Sequence, residues 1–315
     1  MNELVLGIDG GGSKTIAILV NRSGELEQVS RSTGINPQDR ADWKLEFSNL
    51  ADALKQRLPR VESACIGAPG YGEIPSISAL QNEFFKTRFS CPVIVENDVR
   101  LAFDGAFLGA AGILLLVGTG TMAWASDGVS HARFGGWGDI YGDEGSGFWI
   151  GRQTLSIASR QLDGRLPPES FSQDLLRHLS IDPDRGAEHL CVWAYEHAHR
   201  RSAIAALSRF VSAQAISGNS TARQLLTEAC QRMGEHIVAA KNMFGSAIPW
   251  SVAGGISKIP YVLQCLTQDF GIPRTRQLPP VGGGAWRAAL ALGWNTGQDW
   301  IQRLQKSLAE HGVDS

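Results

Sequence analysis

Residues 113–128, ILLLVGTGTMAWASDG, repeat the layout of residues 4–24: an apolar strand, a loop of glycine and small polar residues, a second strand, then a serine-containing turn closed by glycine. A unit of this kind occurring twice in 315 residues points to a duplicated α/β fold. After the first copy, residues 25–32 read as a third strand. Residues 39–58 then place Trp43, Phe47, Leu50, Ala51, Leu54 and Leu58 on one helical face. A strand at 64–68, a helix around 76–88, a strand at 93–95 and a helix from about 99 to 109 complete the order βββαβαβα. After the second copy, 129–134 is its third strand, a helix begins near Ser146, and the chain is largely helical to about residue 243. Alternation then resumes with an apolar strand at 250–253 ending in Gly254-Gly255, a helix over 260–269, and Gly282-Gly283-Gly284 ahead of a helix rich in Ala, Leu and Trp. Two α/β domains with mixed sheets are expected to leave a cleft between their matching loops.

The first of those loops lies in GIDGGGSKT, residues 7–15, which ends in the letters of a P-loop without being one. Ser13 separates Gly12 from Lys14, and Ile16–Val20 is a β-branched run closed by a turn, not the helix a P-loop requires. The loop therefore joins two antiparallel strands. Gly11, Gly12 and Ser13 can turn N–H groups towards an anion in the manner of a nest, with Lys14 as counter-charge, which makes this a candidate phosphate site.

Charge excludes other classes. Lys and Arg number 29 and Asp and Glu 31, evenly mixed, so no basic stripe draws nucleic acid or anionic lipid. The opening Met1-Asn2-Glu3 lacks a positive n-region, and apolar runs such as 113–117 are far too short to span a bilayer, so a soluble cytoplasmic protein is expected. Five cysteines at 65, 91, 191, 230 and 265 show no CxxC spacing and read as reduced core thiols.

Three aspartates stand beside these features. Asp98 ends the strand 93–95 and starts a helix, which places its carboxylate at the carboxyl edge of a sheet, where open α/β proteins bind ligands; capping that helix would use it equally well. Asp9 and Asp143 adjoin glycines and offer the hard oxygens that Mg²⁺ prefers. Asp139 and Glu144 read as turn and cap residues.

The order GIDGGGSKT, VENDVRLA, LLVGTGTMAW, GGWGDIYGDEGSG and VAGGISK resembles the N-acetylglucosamine kinase branch of the superfamily uniting sugar kinases, actin and heat-shock chaperones, in the sequence family that also holds benzoyl-CoA reductase activator ATPases. The match runs from residue 4 to about 290. The resemblance implies duplicated ribonuclease-H-like (actin-like ATPase) domains with mixed five-stranded sheets around a central cleft that closes over ATP and sugar. The expected N-terminal domain is 1–111, with the final helix 297–315 as a candidate addition, and the C-terminal domain is 112–296 with a helical insertion. The implied activity is ATP-dependent phosphorylation of the C6 hydroxyl of N-acetylglucosamine or a related amino sugar, with Mg²⁺. By the same resemblance Asp98 is the catalytic base. Asn36, Thr121, Gly136, Trp137 and Asp143 join it at the sugar, with metal the second use of Asp143. Ser13, Thr119, Gly120 and Gly147 go to the phosphates, and Gly254, Gly255 and Ser257 to the adenosine. Pro37-Gln38 stands where the animal members carry an aromatic residue, which keeps glucosamine open as acceptor.

Other readings explain less. Residues 118–123 satisfy a GxGxxG/A dinucleotide pattern, but a turn at 126–128 comes where a helix is required. An activator ATPase shares the fold, yet none of the five cysteines lies in a glycine-rich loop that could hold an iron–sulfur cluster. A non-enzymatic sugar sensor would want a DNA-binding module, and none precedes the first strand. Glu196, His197 and His199 suggest a metal cluster, but residues two apart do not share a helix face, and Arg200-Arg201 make a solvated charged face. Trp137 apart, the nine tryptophans fit core positions. Residues 298–311 form an amphipathic helix, with docking on the first domain left open. The partners expected are the sugar and ATP, with no nucleic acid or membrane and with a homodimer left open.

Overall fold

The computed structural model describes residues 3–197 and 200–313, with Ala187 described by its backbone alone. His199 of the candidate histidine cluster lies outside them. The chain divides into two compact units, residues 1–111 with 275–315, and residues 112–274.

In chain order the first unit contributes β1 (Leu4–Gly10), β2 (Lys14–Asn21), β3 (Leu26–Thr33), α1 (Trp43–Leu54), β4 (Val61–Ala68), α2 (Pro75–Lys86), β5 (Val93–Asn97) and α3 (Asp98–Phe107). The second supplies β6 (Gly112–Val117), β7 (Thr121–Ser126), β8 (His131–Gly135), α4 (Gly147–Leu162), α5 (Ser170–His178), α6 (Gly186–Glu196), α7 (Arg200–Ile216), α8 (Ser220–Phe244), β9 (Trp250–Ala253) and α9 (Pro260–Phe270). The chain then returns to the first unit with α10 (Pro280–Ala291) and α11 (Gln298–Glu310).

The duplicated unit is explicit in the topology. The first sheet runs β3-β2-β1-β4-β5 and the second β8-β7-β6-β9, each with an antiparallel hairpin arm and a parallel step from the hairpin's first strand. The GxGxxG-like residues 118–123 lead into strand β7, so no dinucleotide-binding helix succeeds them. The second sheet has four strands among the described residues, not the expected five. Where the fifth would lie, an extended segment succeeds α9. It reaches β9 through Arg274 N–H to Trp250 O at 2.8 Å and through the Ser251 hydroxyl to Arg274 O at 2.7 Å. Its Pro273 has no N–H to continue a ladder.

In the first unit, apolar residues of β1, buried on both faces, put helices on each side of the sheet. One face holds α1 and α2, where Trp43, Phe47, Phe84 and Phe85 meet edge-on or tilted at 4.6–5.8 Å. The other holds α3, α10 and α11 through Val5, Ile18, Leu101, Val281, Ala285, Trp300 and Leu304. Residues 275–296, expected with the C-terminal half, thus belong to the first unit. The three glycines at 282–284 lie inside α10 and do not precede it. They let it press close: a Cβ on Gly283 would stand 2.4 Å from Leu101 O and 2.5 Å from Gly105 N. The final helix packs on the same unit, with Leu26 N–H donating to the Ser307 hydroxyl and Arg303 Nε to Ser23 O.

All five cysteines are free thiols. Cys65 and Cys230 are buried, but Cys191, expected in a core, is exposed on α6. That helix ends at Glu196, and His197 is extended with its ring edge-on to Trp193. No group of three or more metal-ligating side chains occurs among the described residues. Nor is any helix among them long and apolar enough to cross a membrane.

Candidate active site

In the first unit the carboxyl ends of β1, β4 and β5 collect the residues singled out from sequence. Asp9 sits near the end of β1, and Asp98 directly after β5, two strand spacings or about 10 Å away across the sheet. Asn97, not Asp98, caps α3: its Oδ1 accepts Val99 N–H at 2.9 Å while its Nδ2 donates to Tyr71 O at 2.8 Å. Asp98 is therefore spared the capping role, although its Oδ1 shares the Val99 N–H at 3.0 Å. Gly67 on β4 admits it, since a Cβ there would lie 3.1 Å from the Asp98 Cα and 2.9 Å from Leu101.

The electrostatics separate the two carboxyls. Burial, then the charge of Asp9 and, more weakly, that of Glu73, pushes Asp98 from its ordinary 3.8 up to about 8, against the Val99 N–H bond. Burial raises Asp9 to about 6, opposed by Lys14. Titratable neighbours driven apart in this way mark acid–base and cation-binding sites.

The loop at Gly11–Ser13 packs on residues 34–39. Gly11 N–H donates to Lys14 O and Ile35 N–H to Gly11 O, each at 3.0 Å. None of Gly10, Gly11 and Gly12 takes a left-handed conformation. What the glycines provide is close approach: a Cβ on Gly10 would stand 2.5 Å from Ile35 and one on Gly34 2.0 Å from Gly12 O. The N–H groups of Gly12 and Ser13 meet no acceptor among the described residues and face outward with Lys14. Asn36 lies beside this loop, its Oδ1 accepting Gln38 N–H and its Nδ2 donating to Asp39.

The second unit gathers the others. Gly118, Thr119 and Gly120 link β6 to β7, and the N–H groups of Thr119 and Gly120 are without acceptors among the described residues. The start of α4 closes this loop, Gly147 N–H donating to Gly118 O at 2.9 Å and Phe148 N–H to Thr119 O at 3.1 Å. Gly147 thus shapes the loop while its own N–H is occupied. Gly254, at φ +97, comes so tightly after β9 that a Cβ would stand 2.3 Å from Val117 O. Gly255 has open space beside it, and the Ser257 hydroxyl donates to Gly254 O.

Asp143 is buried and left-handed at φ +56. Its Oδ1 accepts Thr121 N–H at 3.2 Å and its Oδ2 is ion-paired with Arg201 of α7. Arg201, read from sequence as part of a solvated face, is thus tied to the loop. The buried Thr121 hydroxyl has no partner among the described residues, and Gly136 N–H donates to Thr121 O. Trp137 is exposed, with the Arg133 guanidinium 4.6 Å above its ring. Of the two candidate metal ligands, Asp9 fits a divalent cation better. No described residue donates to its carboxylate and burial outweighs the charge of Lys14, whereas Asp143 is already ion-paired with Arg201.

Paired ribonuclease-H-like units, each with a glycine loop at the head of its hairpin, define an actin-like ATPase fold. Residues 6–270 match the BadF/BadG/BcrA/BcrD ATPase family, and the chain belongs to it. It is 29% identical over 264 residues to the N-acetylmuramic acid/N-acetylglucosamine kinase of Clostridium acetobutylicum, spanning 81% of this chain and 85% of that one. To the N-acetyl-D-glucosamine kinase of Dictyostelium discoideum it is 26% identical over 252 residues, 73% of this chain and 77% of that one. A candidate N-acetylglucosamine kinase structure from Chromobacterium violaceum shares the fold at a TM-score of 0.76 and 20% identity, over 90% of this chain and 98% of that one.

Proposed function

We propose that the chain is a cytoplasmic ATP-dependent kinase that phosphorylates the C6 hydroxyl of N-acetylglucosamine or a closely related amino sugar. The observation that carries this reading is the carboxyl pair in the first unit: Asp98, released from capping by Asn97 and raised to about 8, beside Asp9 and an outward-facing glycine loop. The two kinase relatives, one acting by name on both N-acetylmuramic acid and N-acetylglucosamine, support the substrate class.

In this reading the C6 oxygen attacks the γ-phosphorus of ATP, the β,γ-bridging P–O bond breaks, and the hydroxyl proton passes to the ionised Asp98. Asp9 would hold Mg²⁺, which supplies charge neutralisation on the phosphates. The open N–H groups of Gly12, Ser13, Thr119 and Gly120 serve the phosphates, and Gly254 and Gly255 let the backbone approach adenosine. Thr121, whose hydroxyl has no partner among the described residues, and Asn36, Gly136, Trp137 and Asp143 serve the sugar.

A coupled ADP-release assay across glucose, glucosamine, N-acetylglucosamine, N-acetylmuramic acid and N-acetylmannosamine tests the assignment and decides whether glucosamine is the better acceptor. Asp98→Asn is expected to lower kcat by at least about a thousandfold while nucleotide and sugar binding stay measurable by calorimetry. ATP hydrolysis indifferent to every sugar would overturn the kinase reading.

A further inference from the structure

We infer that Arg201 is a phosphoryl-binding residue of the second unit: paired with Asp143 in this structure, it turns to the transferred phosphate when substrate takes its place on that carboxylate. The inference rests on the proposed kinase activity.

The geometry is local to one loop. The Arg201 guanidinium reaches from the first turn of α7 to Asp143 Oδ2, whose other oxygen accepts the Thr121 N–H immediately after the glycine loop. It also lies against the loop itself, since a Cβ on Gly120 would stand 3.0 Å from Arg201 Nη2 and 2.7 Å from Asp143 Oδ1. The residue at 120 must therefore be small for cation and loop to meet. Asp143 is almost wholly buried, whereas the Arg201 side chain is 43% exposed. The carboxylate is fixed, and the guanidinium is the partner with room to move.

A guanidinium presents five N–H donors in a planar fork, and the pair with Asp143 uses part of that set. Nη2, the atom paired with Asp143, itself lies beside Gly120, and the N–H groups of Gly120 and of the preceding Thr119 have no acceptor among the described residues, so a cation and open donors belong to one loop. That is the donor set a phosphoryl group recognises. A sugar hydroxyl donating to Asp143 weakens its hold on Arg201 and frees the fork. Charge spreads over the equatorial oxygens of the phosphoryl group as it passes from ADP to the C6 oxygen, and a cation placed there stabilises transfer more than binding.

The test compares Arg201→Met and Arg201→Lys with the wild-type chain, by steady-state kinetics with N-acetylglucosamine and by calorimetry with the nonhydrolysable analogue AMPPNP in Mg²⁺ and saturating N-acetylglucosamine. Arg201→Met is expected to lower kcat at least about a hundredfold and weaken AMPPNP about tenfold, with the sugar KM moving less than about threefold. Arg201→Lys should recover part of both losses and covers the case of a methionine variant that does not fold. A raised sugar KM with kcat and AMPPNP affinity intact would reduce Arg201 to a positioning residue for Asp143 and overturn the inference. A wild-type chain that phosphorylates no amino sugar would defeat the kinase reading, and the AMPPNP comparison would still decide the role of Arg201.

Discussion

At the residue scale the displacement of Asp98 to about 8 bears directly on its proposed role, because a general base works only when ionised. The value of kcat/KM for nucleotide, which reports the nucleotide-free enzyme, should fall about tenfold per pH unit below about 8. Asp9→Asn removes the like charge second only to burial among the causes, so the Asp98 midpoint tracked by carbon NMR of its carboxyl should move down; an unmoved midpoint would show the two carboxyls to be independent. The same displacement has a stability consequence of opposite sense. The folded chain holds the Asp98 proton at pH values where the unfolded chain has lost it, so stability is lost as pH rises from about 4 to about 8. Asp98→Asn, expected to be inactive as a kinase, should therefore stabilise the fold by up to about 6 kcal/mol at pH 9 and by almost nothing at pH 4, read from urea unfolding. Sequence brought Asp98 to notice because it comes directly after a short apolar strand, but left open whether it caps the helix. Asn97 resolves that by accepting the Val99 N–H itself, its amide held by a further contact to Tyr71, 26 residues away, which no local pattern carries. Arg201 was passed over for the same reason: its partner lies 58 residues upstream, and an arginine after histidines reads as solvated surface until the fold joins them.

At the scale of elements, apolar and β-branched strand runs and Gly-closed turns were legible, and with them the hairpin arm of both sheets. The helix α10 was legible too, but not its start, because three successive glycines normally argue against a helix interior. Tertiary packing overrides that propensity. A side chain at 283 would collide with the backbone of α3 on two atoms that cannot rotate away. Gly283→Ala should cost about 1–3 kcal/mol despite the higher helix propensity of alanine, seen as a lower urea midpoint at unchanged slope. Gly255→Ala makes the contrast. Its backbone is not left-handed and nothing lies within 4 Å of a Cβ there, so stability should stay within about 0.5 kcal/mol of wild type. If that open space admits adenosine, the added methyl should weaken AMPPNP measurably; unchanged affinity would remove Gly255 from the nucleotide site.

At the scale of the molecule, the first unit is discontinuous in sequence and the second is not. From sequence the second half is expected to run to residue 296, with 297–315 left open to the first, whereas the second unit ends at Arg274 and residues 275–315 complete the first. The reason is the surface that this segment covers. One face of the first sheet exposes Val5, Ile18, Val20 and Leu26 until α10 and α11 bring Val281, Ala285, Trp300, Ile301, Leu304 and Leu308 onto it. Burying even six such side chains contributes on the order of 10 kcal/mol, comparable to the whole net stability of a domain. A fragment of residues 1–111 should therefore show no cooperative thermal transition by circular dichroism and should bind hydrophobic dyes. A fragment of residues 112–274, whose core is drawn from one continuous stretch, should melt cooperatively by itself. Supplying residues 275–315 in trans, or fused after residue 111 through a flexible linker, should restore a transition to the first fragment. Cooperative melting of residues 1–111 alone would mean that α1 and α2 suffice to hold the sheet and that the returning helices add stability without being required for folding.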